Sequence, residues 1–360
     1  MGEETDVPSG EELLLKQVTE TKNSLSTDRL DMSFGEIMSM YERDEIIIDP
    51  EFQRLFRWSN EQQTRFIESL LLGIPIPPIF VAEDKNGKWE VVDGLQRIST
   101  VISFFGLLKT MTEKNKWNLS EGDLVKSLEN YNVESFPLKL NLNIKRAVCR
   151  IEIIKWNSKM DMRFELFNRL NTGGSPLTDQ EIRNCIFRGT SVEFNNFLKK
   201  ISRKGRFIEL INPTSKQSEE KYLEELVLRF ASLVHDWNKV NESLSRYMTN
   251  YMKIAVANKD FDFVGLEKLF DRTINLLNPH GPDVFRGING VFSSSLYDAI
   301  TIGVALNIDY YEKTDSKELT ERITKLKNSE DFRKYSGTAS NSKYRVIGRI
   351  KVATEIFKAR

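Results

Sequence analysis

The sequence predicts an α+β fold, a mixed core followed by a mainly α-helical second half. Three observations carry this. A strand from Trp89 to Val92 runs through Asp93-Gly94 into a helical pattern with Ile98, Val101, Ile102 and Phe105 at i, i+3, i+4 and i+7. Ala147, Cys149, Ile151 and Ile153 alternate with Val148, Arg150 and Glu152, the period of a half-buried strand. Beyond about residue 190 such strand patterns stop, and only helical periods remain. The expected organisation is a polar tail over 1–29, a mixed domain over 30–190 and a helical domain over 191–360.

Taken in order, Leu30 to Arg43 predicts a short helix, and the β-branched run Ile46-Ile47-Ile48 predicts a strand that turns at Asp49-Pro50. Ser59 and Gln62 form a capping-box pattern, and Phe66, Ile67, Leu70 and Leu71 supply an apolar face that stops at Gly73. Ile74-Pro-Ile-Pro-Pro78 cannot continue a helix, because proline removes N–H donors and restricts the residue before it. It delivers the chain into a strand from Ile79 to Ala82, and Asn86-Gly87 turns that strand back into Trp89 to Val92. Thr110 to Leu138 is polar and irregular. After the strand at 147–153, Met162, Leu166 and Leu170 line a helix that the glycines of Asn171-Thr-Gly-Gly174 end, and Thr178 with Glu181 caps another carrying Ile182, Cys185 and Ile186. Tyr222 to Val234, Tyr247 to Ala257, Phe263 to Leu277 and Leu296 to Leu306 predict helices of ordinary length, with no fixed repeat to indicate a solenoid.

Composition excludes several classes. The chain has 360 residues, 40% hydrophobic and 29% charged, as in globular proteins, and no apolar run long enough to span a bilayer. Lys plus Arg and Asp plus Glu each total 52, so no global positive field advertises nucleic-acid binding. The local run Lys199, Lys200, Arg203, Lys204 and Arg206 is read first as a solvated helix end and second as a phosphate-backbone contact. Two cysteines, Cys149 and Cys185, stand far apart in apolar surroundings and predict core positions in a reducing compartment. These features predict a cytoplasmic protein without a membrane partner.

The strongest site signal is Val91-Val-Asp-Gly-Leu-Gln-Arg-Ile98. A helix N-terminus presents unpaired N–H groups and a partial positive charge to an anion. Gly94 permits close backbone approach, while Gln96 and Arg97 lean back from the first turn toward the strand end. A plain capped helix accounts for the same residues, with Asp93 as N-cap, Gln96 at N3 and Arg97 covering apolar surface. What shifts the balance is the company of this segment. Arg54 and Arg57 lie on a strand-to-loop segment upstream, and downstream a helix ends at Asn168-Arg169 and the glycine-rich Asn171-Thr172-Gly173-Gly174, before Arg183 on the next helix.

Together, Pro50-Glu-Phe-Gln-Arg54 with Arg57-Trp58, Ile67-Glu-Ser-Leu-Leu-Leu-Gly-Ile-Pro-Ile-Pro-Pro78, Asp93-Gly-Leu-Gln-Arg97, and Phe167-Asn-Arg-Leu-Asn-Thr-Gly-Gly174 with Glu181-Ile-Arg183 closely resemble the GmrSD restriction endonuclease N-terminal domain family. The resemblance spans roughly residues 30 to 190. It implies a ParB/sulfiredoxin-like domain of a bacterial restriction or antiviral defence system that binds a nucleoside triphosphate of unspecified base with Mg2+, often as an NTPase. Carried onto this chain, Arg54, Arg57, Gly94, Gln96, Arg97, Asn168, Arg169, Asn171, Thr172, Gly173, Gly174 and Arg183 would surround the nucleotide, and Asp93 would be the metal ligand and catalytic group. The family motif is usually Asp-Gly-Gln-Gln-Arg, and Leu95 in its third position removes one polar contact here.

Many restriction proteins with this domain carry an HNH nuclease, but the only histidines, His235 and His280, have no such spacing. A separately encoded nuclease or ATPase effector is therefore the expected partner, with DNA and a second copy of the chain as further open partners. A DNA-binding adaptor is the competing reading. Arg229 and His235 loosely satisfy the Arg-x(4–6)-His spacing of HEPN ribonucleases, on a helix whose apolar residues need no such explanation. The Walker loop of P-loop ATPases is absent.

Overall fold

The computed structural model describes residues 10–48, 58–170, 177–188 and 191–359. The chain divides into two compact units, Met1–Leu177 and Thr178–Arg360.

The first unit is built on a five-stranded mixed sheet in the order β1-β5-β3-β4-β2. Its strands are β1 (Thr27–Ser33), β2 (Ile46–Ile47), β3 (Ile79–Glu83), β4 (Trp89–Asp93) and β5 (Val148–Ile154). Antiparallel pairs join β1 to β5 and β3 to β4, while β3 with β5 and β2 with β4 run parallel. The helices are α1 (Gly10–Asn23), α2 (Phe34–Glu42), α3 (Asn60–Leu72), α4 (Leu95–Phe104), α5 (Leu138–Arg146) and α6 (Met160–Leu170). Phe34 and Ile37 of α2, Phe66 and Ile67 of α3, Val101 and Phe104 of α4 and Ile144 of α5 join Ile79, Val81, Val91, Ile151 and Ile153 of the sheet in one buried cluster. Transfer of this apolar surface out of water is the main force holding α2 to α5 on the sheet.

Local chemistry accounts for several boundaries. Ser59 accepts the Gln62 N–H and the Gln62 side chain accepts the Ser59 N–H, so the predicted capping box starts α3, and Gly73 ends it in the left-handed region at φ 68°. The hairpin from β3 to β4 turns at Gly87, as Asn86-Gly87 predicts. One expectation fails: the helix predicted from Leu30 begins only at Phe34. Residues 27–33 are drawn into β1 by seven register partners on β5, and Ser33 caps α2 by accepting the Glu36 N–H at 3.2 Å. On α6 the buried side chains are Arg163, Phe164 and Phe167, whereas Met162 and Leu166 of the predicted face are only partly covered.

Among the described residues the second unit is helical. Its longer helices are Val192–Ser202, Tyr222–Leu233, Leu244–Ala257, Phe263–Leu277, Ser294–Ala305, Ser316–Asn328 and Lys343–Phe357. Helix Asp179–Arg188, assigned by the sequence to the mixed domain, falls in this unit by compactness. In the last helix Val346, Arg349, Ile350, Ala353 and Phe357 are buried. At the centre of the unit Asp298 accepts from Arg229 at 2.7 and 2.9 Å and from Arg349 at 2.5 Å, all three residues being almost fully buried.

Candidate functional site

Four of the predicted site residues meet where β4 passes into α4. Asp93 closes β4, and Gly94 stands at the helix N-cap with φ 92° and no side chain to cap the first turn. The capped-helix alternative thus fails in its specific form, because the N-cap is Gly94 and the Asp93 carboxylate turns instead to Arg97, accepting from Nη2 at 2.8 Å. A β-carbon at Gly94 would sit 2.8 Å from Cγ1 of Ile79 and 3.3 Å from Nη2 of Arg97. Glycine is therefore demanded twice, by a positive φ and by the closeness of β3.

Arg97 is buried, and its Nη1 donates to the backbone carbonyls of Pro77 and Pro78. Burial pulls the guanidinium below its ordinary pKa, and the charge of Asp93 opposes that shift. The side chain thus ties the Ile74-to-Pro78 segment to the start of α4. Gln96 faces the other way, its Oε1 accepting the Trp58 N–H at 3.2 Å. Because β2 runs parallel to β4, with Ile47 beside Glu90, its C-terminal end lies at the Asp93 end of the sheet. Ile48 and Trp58, the described residues flanking 49–57, are thereby brought to the same end as Gly94. Nearby, burial pushes the Cys149 thiol up to about 12 despite the opposing charge of Arg97, so it is no thiolate nucleophile at neutral pH.

Residues 34–188 match the family described as GmrSD restriction endonuclease, N-terminal domain. The matched segment is similar to that family. It is a family of restriction-system domains, and the β4–α4 junction lies within the matched segment. The match continues to the end of helix Asp179–Arg188, beyond the compact boundary at Leu177. No curated protein and no solved structure was found to match the chain.

The remaining predicted residues are placed as follows. Arg54, Arg57, Asn171, Thr172, Gly173 and Gly174 lie outside the described residues, as does the side chain of Asn168. Arg169 is exposed on the last turn of α6 and pairs with Glu165 at 2.9 Å. Arg183 is fully buried in the second unit, donating to Thr249 at 3.1 Å, Gln180 at 2.9 Å and Ser245 at 2.9 Å with Asp179 at 3.9 Å, so its guanidinium is held by oxygens of that unit. Sequence reasoning missed the contributions of Trp58, Pro77 and Pro78. Their backbone groups do the bonding, and a backbone partner leaves no trace in residue type.

Other readings of the sequence lose support. Lys200 pairs with Glu267 at 2.7 Å, Lys204 with Glu267 and Asp271 at 2.8 and 2.6 Å, and Arg206 bonds Asn275, so acidic neighbours match Lys200 and Lys204 of the basic run. Arg229 is committed to the buried Asp298, whereas His235 is exposed, which does not compose a HEPN pair. Among the described residues no helix is long and apolar enough to cross a membrane, and no three His, Cys, Asp or Glu side chains group to hold a metal.

Proposed function

We propose that the GmrSD segment binds a nucleoside triphosphate with Mg2+ at the β4–α4 junction, and that the chain is a sensor or regulatory component of a restriction or anti-phage system acting with a separately encoded effector. The observation that carries this is the start of α4, where a ten-residue helix opens at a left-handed glycine that has no side chain of its own to cap the first turn. Phosphate oxygens are natural acceptors for such groups, and the helix dipole favours their charge. Arg97 beneath the turn adds a fixed positive charge, although its present bonds mark it as much a strut as a ligand.

The residues also fit the metal. Among the described residues Asp93 is the carboxylate at the junction, and it remains partly exposed. Mg2+ is commonly held by one or two carboxylates together with phosphate oxygens and water, so a single aspartate suits a metal that arrives with the nucleotide. The metal would neutralise phosphate charge; the chain's own part is to bind and orient the phosphates. Arg97 already balances the Asp93 charge, which supports a binding role over a general-base role.

Titration of the purified chain with ATP, GTP, CTP and UTP in the presence of Mg2+ tests the reading. Gln96→Ala is expected to weaken binding about tenfold, the loss of about one charge-assisted hydrogen bond, with the thermal transition lowered only by the loss of the Trp58 N–H bond, worth about 1 kcal/mol. Failure of every nucleotide to bind, or equal binding by the variant, would overturn it.

A further inference from the structure

We infer that β1 is a self-complementary sheet edge through which two copies of this chain pair. β1 is the terminal strand of the sheet, with β5 on one side and no strand on the other among the described residues. It is seven residues long, runs without a bulge against β5, and Thr27 to Asp31 are all exposed. β1 has no proline, lysine or bulge, and the charges it does carry, Asp28, Arg29 and Asp31, are of both signs, so a partner strand of matching charge order can meet them. Helix α1, which leads into it, buries none of its residues and leaves Leu14 and Leu15 each 60% exposed.

The orientation of the backbone decides which register is open. Lys155 donates to the Ser26 carbonyl and Phe34 donates to the Ala147 carbonyl, so the even-numbered residues of β1 turn their N–H and C=O groups toward β5. Odd-numbered residues then turn theirs outward. The outward Arg29 N–H donates at present to its neighbour Asp28 at 2.8 Å, a local bond that pairing would exchange for a ladder bond.

A second β1 laid antiparallel about a two-fold axis at Leu30 matches odd with odd residues, as that backbone requires. Arg29 then stands opposite Asp31 of the other copy, and Asp31 opposite Arg29, with Leu30 against Leu30 and Thr27 against Ser33. No like charges meet. Within one copy Asp31 already pairs with Arg150 at 2.9 Å, and Arg29 lies in register with Glu152. Across the axis the outer face therefore reads Arg150, Asp31, Arg29 and Glu152, an alternation of sign continuing from one sheet into the next. Opposite charges at directly facing cross-strand positions stabilise pairing, and like charges destabilise it. The partner that completes this alternation is a second copy of the same strand, in the self-matching manner of two-fold interfaces.

Sedimentation of the full chain across the micromolar range is expected to show a reversible monomer–dimer equilibrium. Arg29→Glu places Glu against Asp31, and Asp31→Lys places Lys against Arg29, so each variant alone is expected to dimerise about tenfold more weakly or worse, a loss of about 1.4 kcal/mol. Mixed together they restore both opposite-charge pairs, and a heterodimer is expected. Leu30→Cys tests the register, because facing residues of a non-hydrogen-bonded pair have Cα atoms about 4.5 Å apart, within disulfide reach. It is expected to cross-link to a covalent dimer under oxidation, while the two native cysteines are buried. Circular dichroism of each variant checks that the fold persists. A wild type that stays monomeric throughout, or a dimer that neither charge variant weakens, would overturn the assignment.

Discussion

The guanidinium of Arg97 and the carboxylate of Asp298 are both withdrawn from water, but they differ in how their charge is matched. Arg97 has one partly exposed carboxylate and two carbonyls, whereas Asp298 has two buried guanidiniums. Arg97→Ala leaves acceptors in the Pro77-Pro78 segment unsatisfied and is expected to cost about 2 kcal/mol in urea unfolding, apart from any effect on nucleotide binding. For that reason Gln96 is the cleaner probe of the proposed site. Asp298→Asn strands two buried positive charges and is expected to cost about 3 to 5 kcal/mol by the same measurement. Burial acts to raise the Asp298 pKa, but Arg229 and Arg349 prevail and hold it below its ordinary value. A carboxylate so lowered contributes stability that is fully present above its unfolded pKa of about 3.9 and is lost as pH falls through the folded value. Unfolding free energy should therefore show the Asp298 contribution intact near neutrality and falling only in strong acid, and a loss beginning at pH 6 would contradict the pairing.

Among the elements, two glycines at helix ends separate backbone conformation from packing. At Gly73, φ 68°, nothing lies within 4 Å of where a β-carbon would stand, whereas at Gly94, φ 92°, Ile79 lies 2.8 Å from that position. Gly73→Ala is expected to cost about 1 kcal/mol, the penalty of left-handed backbone alone. Gly94→Ala carries that strain plus the clash with Cγ1 of Ile79 and is expected to lower the melting temperature further. Equal effects of the two substitutions would remove the close approach of β3 as a reason for glycine. Much at this scale was legible in advance: the α3 capping box, the Asn86-Gly87 hairpin and the alternation in β5 are local patterns with local causes. The strand β1 was not, because Thr27 to Ser33 is mostly exposed and shows no alternation of apolar residues; only its pairing with β5 makes it a strand. Helix α5 likewise begins at Leu138, after Pro137 at the N-cap and without a side-chain cap, and was not anticipated.

In the whole molecule, the question is where one unit ends and the next begins. The compact boundary at Leu177 assigns helix Asp179–Arg188 to the second unit, where Arg183 bonds Thr249 and Ser245 and Asn184 bonds Glu224 at 2.6 Å. Removing that helix leaves buried polar groups without partners. A fragment spanning 178–360 is therefore expected to fold with a cooperative thermal transition, whereas one spanning 191–360 is expected to melt lower or to be degraded faster under limited proteolysis. If both fragments behave alike, the helix is dispensable to that unit and the boundary moves to about residue 190.

What the sequence determined by itself is the class of fold, the family resemblance of roughly residues 30 to 190 and the strand-turn-helix that forms the candidate site, since these rest on periodicity, turn chemistry and motif order, all local along the chain. Only the tertiary structure decided what the charged residues of those motifs touch. Arg97 reaches back to Pro77 and Pro78, Arg183 enters the interior of the second unit, and Arg229 and Arg349 converge on Asp298. An arginine looks the same in sequence whether it holds a phosphate, a carbonyl or a buried carboxylate. The difference lies in which distant segment is packed within hydrogen-bond range, and that is set by the burial of the surrounding apolar residues rather than by the motif itself.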